Sequence, residues 1–169
     1  TLTAYLRALD AAGIAPGQAL PKIAINLAID ADQILGLAKL RAARRLVWQV
    51  ADACRAGEAV AQMTFSAETS RRMMARHDPW VNMLRTTAAM GGAQAITVLP
   101  FTWALGRPDS FARRMARNTH LVLQEESGLG RVLDPAGGSF AIETLTADLA
   151  AAAWRLFQEI EAAGGMGTG

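Results

Sequence analysis

The first apolar positions of the chain, Leu2, Tyr5, Leu6 and Leu9, recur at helical spacing, and Gly13 closes the pattern. A different rhythm follows. Pro21–Ile29 (PKIAINLAI) is a short apolar run bounded by Pro and Asp, which predicts a buried strand. Asp30 then stands where it can cap a long helix rich in Ala, Leu and Arg, ADQILGLAKLRAARRLVWQVADAC. The alternation repeats. Ala59–Ser66 (AVAQMTFS) predicts a second strand, and Asp78 as N-cap with Pro79 at the first helical position opens another helix. Ala93–Phe101 (AQAITVLPF) predicts the third strand, followed by a helix from Asp109 or Ser110 to Gly128. Val132–Leu133 reads as a fourth short strand beside a Gly-rich turn, and Ile142–Ala163 as the last helix before a frayed GGMGTG tail.

A helix and then four strand–helix units is the grammar of a parallel sheet covered by helices. The expected fold class is therefore α/β, one partial domain over residues 1–169. Four units fit half of an eight-unit barrel or a small open sheet. An isolated half barrel would expose sheet edges, so it calls for a partner or the rest of a longer chain. Ligands of such barrels meet the loops after the strands, here Ile29–Asp32, Ser66–Arg72, Leu99–Arg107 and Asp134–Ser139.

Composition narrows the classes. The chain is 51% hydrophobic and 19% charged, which is too apolar for disorder. Its net charge is +2 with the arginines spread over several segments, unlike the concentrated basic face that nucleic acid requires. A single cysteine, Cys54, excludes a disulfide framework and a CxxC metal site, and it reads as a buried apolar residue near a helix end. The apolar runs stay below the ~20 residues of a membrane span. Thr1–Asp10 lacks the ordered regions of a signal peptide, so the expectation is a soluble, cytoplasmic protein.

Candidate chemistry concentrates after the second strand, in Ser66, Glu68, Thr69, Ser70, Arg71 and Arg72. Paired arginines can hold a phosphate bidentately; the same residues also make an ordinary solvated loop. His77 reads as a helix-entry residue and His120 as a partly buried helix residue, with no nucleophile assigned to either. No HExxH, Asp-rich metal loop or Walker motif occurs. DPAGGSF can offer backbone N–H groups to an anion, or be simple turn geometry. Spacing alone yields an α/β piece without a self-contained active site.

Longer phrases say more. DPWVNMLRTT, FARRMARNTHLVLQEESGLGRVLDPAGGSF and AWRLFQEIEAAGGM resemble the adenosylcobalamin-dependent acyl-CoA mutases, above all the methylmalonyl-CoA mutase family, and the likeness reaches upstream through AKLRAARRLVWQV. The resemblance implies the second half of a TIM (β/α)8 barrel, strands five to eight with their helices. It also implies a radical isomerisation between (R)-methylmalonyl-CoA and succinyl-CoA, with adenosylcobalamin held by a separate domain. In catalytic subunits the loop after the sixth strand reads approximately Arg-Thr-His-x-Gln-Thr-Ser-Gly-Trp. Aligned on Thr69-Ser70, the substrate-facing His falls on Ser66, the Gln on Glu68 and the Gly-Trp on Arg71-Arg72. A CoA-contacting Arg becomes Lys22, an aromatic pair near the cofactor becomes Ile25-Asn26, and His-Thr-Asn after the seventh strand becomes Thr97-Val98-Leu99.

The scaffold phrases match while the chemical positions do not. TSRRMMARHDPWVNMLRTT and ITVLPF look more like the small, non-catalytic subunit of the heterodimeric bacterial mutases. The cobalamin signature Asp-x-His-x-x-Gly is absent from this sequence, and RTTAAMGGAQ is shorter than the family's corresponding helix and turn. The resemblance thus implies an accessory chain that binds no cofactor, supplies no catalytic residue, and acts with a cobalamin-binding catalytic subunit. The enzymatic alternative is a catalytic acyl-CoA mutase of altered specificity, in which Lys22, Ser66, Glu68, Arg71 and Arg72 contact CoA or the acyl group. A free-standing scaffold or binding module is the third reading.

Overall fold

The computed structural model describes residues 1–79, 93–128, 131, 134 and 136–166. Helix α1 (Leu2–Ala11) and the short α2 (Pro16–Ala19) lead into strand β1 (Ala24–Ile29). The long α3 (Gln33–Ala53) returns the chain to β2 (Thr64–Thr69), and β3 (Ala95–Thr97) lies beside it. Helices α4 (Ser110–Leu121) and α5 (Phe140–Ala162) follow. The strands form one parallel sheet in the order β1-β2-β3, with Asn26 opposite Ser66, Ile29 opposite Thr69 and Glu68 opposite Thr97. The α/β expectation holds. The body of the helix predicted from Asp78, the shortened RTTAAMGGAQ segment up to residue 92 and the strand predicted at Val132–Leu133 lie outside the described residues.

Each strand is shorter or later than its apolar run. Leu20–Lys22 forms a single 3-10 turn before β1, because Pro21 has no N–H to give a sheet and fits the first turn of a helix. The first half of the predicted Ala59–Ser66 strand belongs to a 3-10 helix, Gly57–Gln62; the strand proper starts at Thr64 and runs on to Thr69. Here Ala and Val turn the chain, while the polar residues of TFSAET carry the ladder. Of the predicted Ala93–Phe101, only Ala95–Thr97 pairs.

The cap of α3 also moves. Asp32, two residues beyond the predicted Asp30, is the N-cap, and its Oδ1 accepts from Leu35 N at 2.9 Å. Asp109 caps α4 in the same manner, accepting from Ala112 N at 2.7 Å. Three helices end alike. After α1, α3 and α5, the last carbonyls are closed by Ile14 N to Leu9 O, Ala56 N to Ala51 O, and Gly165 N to Ile160 O. Gly13 and Gly164 supply the positive φ of that motif, but after α3 it falls on Arg55 at φ 57.

The core lies on one side of the sheet. Leu6, Leu20, Val47, Ala51, Met63 and Phe65 make one buried cluster, and Ile29, Leu40 and Ala67 a second. Gly36 permits the close approach of α3 to β1, since a Cβ there would stand 2.7 Å from Ile29 Cγ2. Helix α5 runs alongside α3 in the same direction: Arg41 binds Asp134 and Glu143 near the start of α5, and Cys54 shares a cleft with Phe157 and Glu161 near its end. Cys54 is exposed, not buried as predicted, because it is the C-cap of α3, beyond the last buried turn at Ala51. No helix among the described residues is long and apolar enough to cross a membrane.

Candidate functional site on the open sheet face

Alternation along β2 separates two functions. Phe65, Ala67 and Thr69 are buried under the helices, whereas Thr64, Ser66 and Glu68 point to the opposite face. Ala24, Asn26 and Ala28 on β1, and Ala95 and Thr97 on β3, extend that second face, and all five are exposed. It is a shallow surface of small and polar side chains.

Its polar residues are joined in one chain. Ser66 Oγ donates to Asn26 Oδ1 at 3.0 Å, and Asn26 Nδ2 donates to Glu68 Oε2 at 3.3 Å. Arg71 Nη2 donates to the other carboxylate oxygen, Oε1, at 3.4 Å. The Arg71 guanidinium in turn lies over the Trp103 ring, 5.2 Å from its centroid. Glu68 therefore has both oxygens engaged, and Arg71 has a carboxylate and an aromatic face. The end of β2 is pinned from beneath: Ser70 N donates to Ile29 O at 2.9 Å, and Thr69 Oγ1 accepts from Leu99 N at 3.3 Å.

The predicted set is thus only partly assembled. Ser66, Glu68 and Arg71 come together; Ser66 and Glu68 do so as residues of β2, not of a loop, because the strand extends further than its apolar letters. Arg72 is exposed in the 3-10 turn Arg71–Met73 and makes no ion pair among the described residues. Lys22 is set apart. It precedes β1, at the end of the parallel sheet opposite Arg71, which follows β2.

Sequence reasoning missed Asn26 and Trp103 as members of the cluster. Asn26 could have been found from period-two alternation, which puts it on the face of Ser66. Nothing local signalled Trp103, which arrives from the segment after β3. His77 and His120 stand on separate elements. His77 is exposed after β2, and His120 lies half-buried on α4 in a cavity with Arg113 and Arg117. Among the described residues no cluster of three His, Cys, Asp or Glu side chains could hold a metal.

Chemically, the face offers no free base or nucleophile pair. Its carboxylate is neutralised by a neighbour, and its hydroxyl donates to an amide. Such an arrangement fixes side chains in place.

Comparison with known proteins gives the descent. Residues 1–169 match the family described as methylmalonyl-CoA mutase. The chain is 55% identical to the methylmalonyl-CoA mutase small subunit of Streptomyces virginiae, over 95% of this chain and 27% of that protein. It is 45% identical to the small subunit of Propionibacterium freudenreichii subsp. shermanii, over 96% of this chain and 26% of that one. Against the methylmalonyl-CoA mutase of Cereibacter sphaeroides the identity is 37%, over 96% and 24% respectively. The chain spans about a quarter of the length of these relatives. With a match along its whole length, the chain belongs to the methylmalonyl-CoA mutase family.

Proposed function

We propose that the chain is part of the barrel wall of a methylmalonyl-CoA mutase small subunit, and that it serves the isomerase by assembling with a cobalamin-binding catalytic subunit in the cytoplasm. On this reading its strands are the fifth to eighth of a TIM barrel, the parent complex interconverts (R)-methylmalonyl-CoA and succinyl-CoA, and this chain is inactive alone. The observation that carries it is the graded likeness, higher to small subunits than to the Cereibacter mutase. The closed Asn26–Ser66–Glu68–Arg71 chain supports it, because a side chain engaged by its neighbours is a wall and not a reagent.

The family depends on adenosylcobalamin, whose cobalt–carbon bond supplies a radical. The residues described here do not fit that group. The open face carries a Glu–Arg pair and no imidazole, and His120 stands beside two guanidinium groups on another element. No step is therefore routed through this chain; the cofactor belongs to the catalytic partner. The contribution left to this chain is to hold a dry, rigid barrel wall and to present helical faces, notably 109–124 and 142–163, for packing.

The test is co-elution of the full-length protein with the catalytic subunit of the same organism, by size exclusion with light scattering. A stoichiometric complex is expected. If the protein stays alone yet turns over methylmalonyl-CoA with added adenosylcobalamin, the accessory reading fails. Substitution separates it further from a catalytic mutase of altered specificity. Arg71→Ala with Arg72→Ala should leave CoA-thioester affinity unchanged by calorimetry, whereas a loss of about tenfold or more would mark the face as a substrate site.

A further inference from the structure

The cavity beside α4 is built differently from the open face. Ser110, Arg113, Arg117 and His120 fall at i, i+3, i+7 and i+10, which puts all four on one side of the helix. Together with Val98 and Pro100 from the segment after β3 they line a cavity of about 430 Å³. The floor is apolar, Val98 being buried, and the rim is cationic.

No carboxylate among the described residues pairs with that rim. Neither Arg113 nor Arg117 makes an ion pair there. The adjacent acid, Asp109, spends its Oδ1 on the Ala112 N–H, and Arg114, on another side of the helix, lies over the Phe111 ring. Two guanidinium groups four residues apart repel each other along a helix. Their backbone positions are about 6 Å apart along the axis, a spacing from which two long side chains can converge on one tetrahedral anion.

From this placement we infer that the α4 cavity binds a small organic phosphate monoester. Arg113 and Arg117 clamp the phosphate oxygens, with His120 and the Ser110 hydroxyl as further donors. The organic part rests on Val98 and Pro100. Four donor side chains exceed what a carboxylate's two oxygens use well, which favours phosphate. The volume lies within the range of small-ligand pockets, about 300–1,000 Å³, and bare phosphate would leave the apolar floor uncovered. The inference does not rest on the open sheet face; it uses the cavity side of α4, a helix offered above for packing, and takes that one side to stay open to solvent.

The experiment is calorimetric titration of the full chain at low salt with phenyl phosphate, inorganic phosphate and benzoate. Phenyl phosphate should bind at least tenfold more tightly than either of the others. Arg113→Ala and Arg117→Ala should each weaken it about tenfold or more, with Arg117→Lys recovering part of the loss. Arg155→Ala, an exposed arginine on α5, should change nothing, and circular dichroism should report the same fold in all variants. Absence of phenyl phosphate binding overturns the inference. So does equal binding of benzoate, or an equal loss in Arg155→Ala, which would reduce the effect to general surface charge.

Discussion

Gly36 is the residue on which the contact between α3 and β1 depends. It lies inside a 21-residue helix, where glycine is a poor choice, and the reason is Ile29, whose Cγ2 would stand 2.7 Å from a new Cβ. Gly36→Ala gains helix propensity of about 1 kcal/mol but forces a buried, β-branched side chain to move, at a cost of about 1–3 kcal/mol. We expect net destabilisation of about 1 kcal/mol, read as a lower urea midpoint at unchanged slope. A higher midpoint would mean that Ile29 gives way freely. Glu68 illustrates the other kind of residue. Its type suggested a contact for substrate, but its two oxygens are claimed by Asn26 and Arg71. Residue type is legible in a sequence; occupancy is not, because it depends on a strand register that pairs Asn26 with Ser66 across forty positions.

Among the elements, α3 ends in the same hydrogen-bonded motif as α1 and α5 but without their glycine. Arg55 holds φ 57, which strains a side chain bearing a Cβ. Arg55→Gly should therefore raise stability by about 0.5–1 kcal/mol, after the larger chain entropy of glycine is subtracted. The check is a thermal melt, and a fall would show that the Arg55 side chain contributes more than its backbone loses. The start of the same helix predicts the opposite sign: Asp32→Ala should cost about 1 kcal/mol by leaving the Leu35 N–H without its acceptor. Helices were the most legible elements. Asp109, Pro16 and the glycines mark their ends locally, so α5 falls within two residues of the apolar pattern's prediction and α4 starts where it was expected, although its α-helical part stops at Leu121 and a π turn, Val122–Glu126, carries the chain on towards Gly128. Strands were less so. TFSAET alternates polar Thr64, Ser66 and Glu68 with buried Phe65, Ala67 and Thr69, and hydrophobicity alone began this strand in the preceding 3-10 helix and stopped it at Ser66.

Over the whole molecule, one carboxylate joins the first helix to the last. Glu161 accepts from the Thr3 hydroxyl at 2.8 Å and pairs with Arg7. The Thr3 hydrogen bond first, and Arg7 second, hold its carboxyl below the ordinary value of 4.5. A depressed folded pKa adds stability that is present above the ordinary value and is lost as the pH falls through the folded one. Wild type and Glu161→Gln should therefore differ most near neutrality and converge in acid, in melts taken from pH 7 downward. A constant gap across that range would refute the linkage. The parallel sheet was legible at this scale from the strand–helix order, whereas the docking of α5 on α3 was not, since no local pattern encodes which helix a distant one will meet.

That same docking governs the order of folding. Thr3 and Glu161 are 158 positions apart, so their contact cannot form until all the residues between them have been synthesised. Closing so wide a loop is slow and entropically costly, and it must follow the nearer pairings of β1, α3 and β2. During translation, then, the Arg41 side of α3 waits without its partner, and the emergence of α5, which brings Glu143 to Arg41, is what ends the wait.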